Sequence, residues 1–169
     1  ILLDYTDIPA MRKKIMDLGI KYIVPGCNDI SYEVCATLNE NRDFHGIDSL
    51  ETTKTLNNKR QFRLFLKQHG LPSPHLFNAE QPETFLEQAV IIKPVDAYSG
   101  KGVTILSQAN HKNYAAAVQK ARAASRSGQC IVEEFVSGQL YSHSAFIKNN
   151  QIFIDFIVTE YSTVNPFTV

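Results

Sequence analysis

The chain has 169 residues, 44% of them hydrophobic, so it is long enough to bury a core in one or two domains. Its 17 basic and 17 acidic residues give a formal net charge of zero. This balance argues against a general nucleic-acid binder or a protein of anionic membrane surfaces, because both carry a basic excess. No apolar run approaches the length of a membrane-spanning helix.

The first residues and the cysteines give two further expectations. The sequence starts at Ile1 without an initiator methionine or a basic, then hydrophobic, leader, so we expect a cut from within a longer protein rather than a signal peptide. The three cysteines, Cys27, Cys35 and Cys130, are odd in number and unclustered, which favours reduced thiols in a cytoplasmic protein. A metal site built on Cys27 and Cys35 lacks the usual C-x-x-C spacing.

Helix signals are clear in the first fifty residues. Asp7 as a cap and Gly19 as the residue that ends the element predict a helix over 7–18. A second helix is predicted over 30–39, with its apolar residues at helical spacing.

Short strands are predicted at 21–24 and 44–47, between and after these helices. The alternation of helix and strand is typical of part of an open α/β sheet. Ligands often bind beyond the strand ends of such sheets, so Asn28 and Asp29 are either substrate contacts or simple helix caps.

A short polar helix is predicted over 48–55, and a longer one follows and ends at Gly70. Lys59 and Arg60 fall in the first turn of the longer helix, where the helix dipole disfavours cations. Either an anion binds at this end, or both residues are solvated surface charges.

Two prolines at 72 and 74 form a stiff connector before the rest of the chain. The elements predicted after it are a strand at 75–77, a helix at 82–87, an alanine-rich helix at 114–124, and strands at 130–136, 141–148 and 152–161.

The most informative stretch is the apolar, β-branched run that begins at Val90 and carries Lys93 inside it. Burying an ammonium group without a partner is costly. The loop that follows holds Gly100, Lys101 and Gly102, and glycines accept the positive φ angles with which backbone N–H groups surround an anion. Two interpretations stay open here: a phosphate-binding hairpin, or an ordinary hairpin with a lysine that reaches solvent.

Two better-known phosphate motifs are excluded. A Walker A loop precedes a helix, whereas this loop precedes the strand pattern Val103–Leu106. A Rossmann fingerprint needs G-x-G-x-x-G, and the sequence has none.

Taken in order, these residues resemble the ATP-grasp family, and most closely its carbamoyl-phosphate synthase large-chain type. The segments that carry the resemblance are Lys59, Ile92-Lys93-Pro94, Ser99-Gly100-Lys101-Gly102-Val103, Val132-Glu133-Glu134-Phe135-Val136 and Gly138.

The resemblance implies a mixed α/β (α+β) fold in four parts. These are the second half of a Rossmann-like pre-ATP-grasp domain over 1–50, connecting helices over 51–72, an ATP-grasp lid over 73–136, and the truncated start of the C-terminal ATP-grasp sheet over 137–169.

The resemblance also implies roles for individual residues. Lys59 and Lys93 would bind nucleotide phosphates, and the hairpin from Ser99 through Gly100 and Lys101 to Gly102 would close over the β- and γ-phosphates.

The acidic strand would form the base-binding hinge. By resemblance, the Glu133 carbonyl accepts from the adenine amino group, the Val136 N–H donates to the ring, and Phe135 lines the apolar slot. An alternative stays open for Glu133 and Glu134, which would also serve as charges that keep an exposed strand edge from pairing.

The sequence departs from the family pattern in two places. Leu140 stands near the position where many members hold the ribose with a glutamate, so Tyr141 or His143 would have to supply that contact, or else both simply fill the sheet. The Mg²⁺ ligands are expected downstream of this chain, and Asp155 and Glu160 are not assigned to metal.

The implied function is the ATP-binding portion of a C–N bond-forming ligase that uses ATP and Mg²⁺ to activate a small carboxylate as an acyl phosphate. The chain alone would be inactive, and a homodimer stays open. Two alternatives are a degenerate or regulatory nucleotide-binding module and a plain α/β interaction domain.

Overall fold

The computed structural model describes residues 2–85 and 87–161, and it divides the chain into two compact units between Ser73 and Pro74. Leu86, from the predicted helix over 82–87, and residues 162–169, at the end of the last predicted part, lie outside the described residues. The mixed helix-and-sheet class predicted from the sequence is confirmed.

In its described residues, 2–73, the first unit has four helices: α1 (Ile8–Asp17), α2 (Asp29–Leu38), α3 (Leu50–Asn57) and α4 (Lys59–Gln68). Each begins at a polar residue whose side chain accepts a bond from a backbone N–H of the first turn, which is the usual N-cap arrangement. These caps are Asp7, Asn28, Ser49 and Asn58. The helices predicted in this half of the chain are therefore confirmed.

The strands predicted at 21–24 and 44–47 are wrong, since neither segment belongs to a β-ladder within the described part of the chain. Both segments still contribute to the core, because Ile23 and Phe44 pack against Ile15, Val34 and Leu38. An apolar run becomes a strand only when a neighbouring strand takes up its backbone hydrogen bonds.

The second unit is built on a four-stranded antiparallel sheet in the order β1–β4–β2–β3. Its strands are β1 (Leu76–Phe77), β2 (Val90–Pro94), β3 (Thr104–Leu106) and β4 (Cys130–Glu134). Short 3-10 turns lie over Pro82–Thr84 and Gln108–Asn113. The predicted helix over 82–87 is thus a single 3-10 turn in its described part.

Helix α5 (Tyr114–Ala124) covers one face of this sheet. Successive residues of a strand point to opposite faces, so alternate positions of β2 and β4 form the core with the small residues of α5. The buried members of this core include Val90, Ile92, Val132, Ala117 and Ala121. Ala117 and Ala121 are four residues apart and let the helix approach the strands closely.

The chain then forms a two-stranded antiparallel ribbon, β5 (Leu140–Lys148) and β6 (Gln151–Glu160). Asn149 and Asn150 make the turn with positive φ angles of 52° and 59°, as a two-residue hairpin turn requires. Nearly every residue of the ribbon is exposed.

Among the described residues, no helix is both long enough and apolar enough to cross a membrane.

Among the described residues of the core beneath α5, one buried hydroxyl group has no hydrogen-bond partner. Thr104 is 2% exposed, and its Oγ1 makes no hydrogen bond with any described residue. A buried hydroxyl without a partner costs about 1–3 kcal/mol. We therefore expect Thr104→Val, which keeps the shape, to raise the free energy of unfolding by about 1 kcal/mol in urea denaturation.

Thr104→Ser is the matched control, because it keeps the hydroxyl and removes a buried methyl group. It should lower the free energy of unfolding by about 1 kcal/mol. A Thr104→Val protein less stable than wild type would contradict the assignment.

Candidate functional site

The predicted site is centred on a buried ion pair between two neighbouring strands. Lys93 of β2 lies opposite Ile131, and Glu133 of β4 lies opposite Ile91, so the two charged residues are diagonal neighbours on one face of the sheet. The Lys93 Nζ contacts Glu133 Oε2. Helix α5 packs on the other face, so the pair is separated from the apolar core by the sheet itself.

Burial makes this pair energetically sensitive. The side chain of Glu133 is fully buried, and that of Lys93 is 17% exposed. A charge in such a place is stable only with a counter-charge, because removal from water costs several kcal/mol per ion. The lysine predicted to need a partner therefore has one, and the partner comes from the predicted base-binding strand.

The loop after β2 adopts the conformations that its glycines allow. We call residues 99–102 the glycine turn. Ser99, Gly100 and Gly102 have positive φ angles of 55°, 70° and 71°, and the side chain of Lys101 is exposed. The positive φ angles predicted for the glycines are thus present, and they extend to Ser99.

Gly102 also has a packing role. A Cβ at this position would lie 2.5 Å from the Cβ of Ala124 and 3.1 Å from Cγ of Pro94. The glycine turn therefore rests directly on the end of α5, and a side chain cannot enter this contact without displacing it.

Asp96, just before the glycine turn, is held by the connection between α5 and β4. Its Oδ1 accepts from Ser125 Oγ at 2.6 Å and from Arg126 N at 3.0 Å, and its Oδ2 accepts from Ser127 N at 2.9 Å. Burial alone raises the pKa of Asp96, but these hydrogen bonds outweigh it and hold the pKa below its ordinary value.

The predicted hinge segment, residues 133–136, begins inside β4 and runs beyond it. Phe135 N donates to Ala89 O at 3.1 Å. Hydrogen-bonded pairs alternate along an antiparallel ladder, so Ile91–Glu133 is also a bonded pair and the Glu133 carbonyl points toward β2. The role predicted for that carbonyl is therefore wrong, because the ladder already uses it.

The backbone groups further along the hinge segment are better placed for the predicted contact with a base. The Glu134 carbonyl points away from β2, and Glu134 N donates to His75 O at 2.9 Å on that side. Val136 lies past the end of β4 and is 63% exposed, while Phe135 is half-buried. The Glu134 carboxylate accepts from His75 N at 3.3 Å, so this acid is tied to the neighbouring segment.

Lys59 belongs to the first unit, where it is the first residue of α4 and half-buried. The first turn of α4 contains no acidic residue, and Asn58 caps it through Gln61 N. Its approach to Lys93 stays a prediction.

The substrate contact considered for Asn28 is better explained as capping, because Asn28 Oδ1 accepts from Ser31 N at 2.9 Å. Asp29 is the first residue of α2, and its backbone carbonyl accepts from Asn57.

The ribbon carries the residues considered for the ribose. His143 Nε2 and Asp155 Oδ2 are 2.8 Å apart, and both side chains are about half exposed. Leu140 and Tyr141 are exposed at the start of β5. Within residues 2–85 and 87–161, no group of three His, Cys, Asp or Glu side chains is placed to hold a metal ion.

Sequence reasoning missed two features of the site. It assigned Glu133 a backbone role, although its side chain is the counter-charge of Lys93. It also gave Asp96 no role. A carboxylate beside a predicted anion-binding loop would repel the anion, so hydrogen-bond donors near Asp96 are to be expected. Ser125 Oγ and Ser127 N are such donors.

The buried pair gives a sharp stability prediction. Lys93→Met leaves Glu133 buried without its counter-charge and should lower the free energy of unfolding by roughly 3–5 kcal/mol. The double variant Lys93→Met/Glu133→Met should recover most of this loss, because it leaves no buried charge. Urea denaturation of the wild type, both single variants and the double variant measures the coupling.

Arg122→Met is the control, since it breaks the exposed pair of Arg122 and Glu80 in the same unit and should change stability little. Additive effects of the Lys93 and Glu133 substitutions would contradict a coupled pair.

The effect of close packing at Gly102 on stability can be measured separately from the effect of its positive φ angle. Gly128 has nearly the same φ angle, 70°, but a Cβ there would meet no atom within 4 Å. Both glycine-to-alanine variants incur the cost of a side chain in the left-handed region, roughly 1–2 kcal/mol. Gly102→Ala should lose about 1–3 kcal/mol more from overpacking, as measured by thermal or urea unfolding. Equal losses would show that Ala124 does not constrain the turn.

Comparison with known proteins supports the same family. Residues 56–163, well over half of the chain, match the family model of the ATP-grasp domain. No curated protein sequence matches the chain.

Several solved structures share the fold. One is the biotin carboxylase domain of 2-oxoglutarate carboxylase from Hydrogenobacter thermophilus, solved with MgADP, ADP and bicarbonate; it is 18% identical with a TM-score of 0.69 over 85% of this chain and 35% of that one. An L-amino acid ligase from Bacillus licheniformis is 18% identical with a TM-score of 0.69, and the match covers 97% of this chain and 39% of the ligase. A D-alanine-D-alanine ligase from Helicobacter pylori is 22% identical with a TM-score of 0.56 over 79% and 40%.

The chain thus spans less than half the length of these proteins. At such identities the likeness shows the fold alone, whereas the family is shown by the match over residues 56–163. The chain belongs to the ATP-grasp domain family.

Proposed function

We propose that this chain is the nucleotide-binding part of an ATP-grasp ligase of the carbamoyl-phosphate synthase large-chain type. The observation that carries the proposal is the order of groups along one sheet. The end of the hinge segment, Glu133, Lys93 and then the glycine turn follow one another along β4 and β2. This is the order in which a nucleotide presents its base and then its phosphates.

The spacing within this order fits an extended ligand. Lys93 lies two ladder positions from the level of Glu133, or about 7 Å along the strand, and the glycine turn lies further in the same direction. The Glu134 carbonyl and the Val136 N–H, which face away from the β2 ladder or lie beyond it, would contact the edge of adenine. Phe135 would line one side of the base.

At the other end, two lysines would meet the phosphates. Phosphoryl transfer is catalysed mainly by positioning and by neutralising charge on the transferred group. Lys93 would exchange part of its contact with Glu133 for a phosphate oxygen, and Lys101 would add a second cation from the glycine turn. Lys59 would bring a third cation at the N-terminus of α4, where the helix dipole also favours an anion.

The parent reaction would be activation of a carboxylate. A carboxylate oxygen attacks the γ-phosphorus of ATP and releases ADP, and an amine or similar nucleophile then attacks the acyl carbon of the acyl phosphate and releases phosphate. Mg²⁺ would neutralise phosphate charge when bound. By the same resemblance, its ligands would come from a downstream part of the parent protein, and this chain alone would not complete the reaction.

We also propose the part assignments that the resemblance implies: a pre-ATP-grasp remnant over 1–50, connecting helices over 51–72, a lid over 73–136 and the start of the catalytic sheet from 137. The three cysteines are free thiols, which fits a protein of the reducing cytoplasm. The partners would be ATP and a small carboxylate.

A second candidate is a degenerate or regulatory module that binds nucleotide without chemistry. Leu140 favours it, because a leucine at the expected ribose position cannot accept hydrogen bonds. The acids downstream in the parent reading frame would separate the two, since only the ligase needs them.

Lys101 allows a test that spares the fold, because its side chain is exposed. Isothermal titration calorimetry with ATP, ADP and AMP should show binding by the wild type. In Lys101→Ala, affinity for ATP and ADP should fall roughly tenfold, on the order of 1.4 kcal/mol, while affinity for AMP should stay the same. Only the longer nucleotides would reach the glycine turn.

Lys112→Ala removes another exposed lysine of the second unit and should leave all three affinities unchanged. Absence of ATP binding in the wild type, or an equal loss for AMP and ATP in Lys101→Ala, would contradict the proposed site.

A further inference from the structure

The glycine turn is attached at its far end to the second half of α5. Gly102 packs so closely on Ala124 that no Cβ fits between them. The next residue is held as well, because Lys120 Nζ donates to Val103 O at 3.3 Å. These two contacts fix where the turn enters β3.

At its near end the turn is attached to the same region through Asp96. This carboxylate accepts from Ser125 Oγ, Arg126 N and Ser127 N, at distances of 2.6, 3.0 and 2.9 Å. Ser125 Oγ in turn accepts from Gln129 N at 3.1 Å, just before β4. The connection between α5 and β4 is therefore organised around a side chain that belongs to the loop before the glycine turn.

The direction of this carboxylate resolves an electrostatic conflict. Asp96 lies three residues before Ser99, and a free carboxylate this close to a phosphate-binding turn would repel the phosphate. Its donors hold it toward the α5–β4 connection and compensate its charge. Asp96 thereby fixes the start of the loop while its donors reduce its repulsion of an anion bound by the turn.

We propose that Asp96 is a positioning residue: it holds residues 97–101 so that the glycine turn and Lys101 meet the phosphates of the nucleotide. Within this segment Lys101 N donates to Tyr98 O at 3.3 Å, and Gly100 O accepts from Val103 N at 3.2 Å. This inference rests on the proposed function for its ligand, but its structural part can be tested without one.

The test compares Asp96→Ala, Asp96→Asn and Ser125→Ala in the 169-residue chain. Hydrogen exchange of residues 97–103 is measured without nucleotide, and binding of AMP-PNP and AMP is measured by calorimetry. Val118→Ala is the control for general destabilisation. Val118 belongs to α5, the helix that contacts the glycine turn, but it packs against the apolar core beneath that helix.

Asp96→Ala should increase exchange at 97–103 at least tenfold and weaken AMP-PNP at least tenfold, with AMP unchanged. Asp96→Asn keeps an acceptor oxygen, so its exchange at 97–103 and its affinity for AMP-PNP should lie between those of the wild type and Asp96→Ala. Ser125→Ala should give a smaller effect that does not add to that of Asp96→Ala, and Val118→Ala should change neither measurement.

Unchanged exchange at 97–103 in both Asp96→Asn and Ser125→Ala would overturn the inference, even if Asp96→Ala failed to fold. Increased exchange with unchanged AMP-PNP affinity would overturn it too. If the wild type bound no nucleotide while exchange rose as expected, the attachment would stand and the proposed function would fail.

Discussion

The second unit depends on one electrostatic constraint: a lysine and a glutamate share a buried face of a four-stranded sheet. Neither Lys93 nor Glu133 is stable there alone, and the ladder places them diagonally within reach of each other. Because α5 and its alanines occupy the opposite face, the apolar core and the charged face are built from alternate residues of the same strands. A substitution at Ile92 or Val132 would therefore alter packing, whereas one at Lys93 or Glu133 would alter charge.

The same pair connects the two ends of the proposed site. Glu133 begins the hinge segment, and Lys93 lies one residue before Pro94, where β2 leads into the loop with Asp96 and the glycine turn. A nucleotide lying along this face would meet base-binding backbone groups first and cations afterwards. The buried pair holds Lys93 on the face that the proposal assigns to the nucleotide, so little rearrangement would be needed if a phosphate took over part of its contact.

Local signals were enough to predict much of this architecture. Capping residues and apolar spacing gave α1 and α2 to within one residue at each end, and the β-branched runs gave β2 and β4. The strand predictions for 21–24 and 44–47 were wrong because a strand needs a neighbouring strand to pair with. Whether such a neighbour exists depends on residues distant in the sequence. The Lys93–Glu133 contact depends on the β2–β4 register, with 35 residues of loops, strand and helix between the strands. The same register uses the Glu133 carbonyl, which is why its predicted role was wrong. Asp96 was missed for a similar reason, since its donors lie about 30 residues away.

The most direct test of the account is an amide NMR titration of the chain with ADP. If the nucleotide lies along the face of β4 and β2, the amides of Glu134–Val136 and of Ser99–Gly102 will shift together with one dissociation constant. The amide chemical shifts of the α5 residues that face the core will not change. Shifts confined to residues 2–73, or a response at the glycine turn with none at the hinge segment, would contradict it.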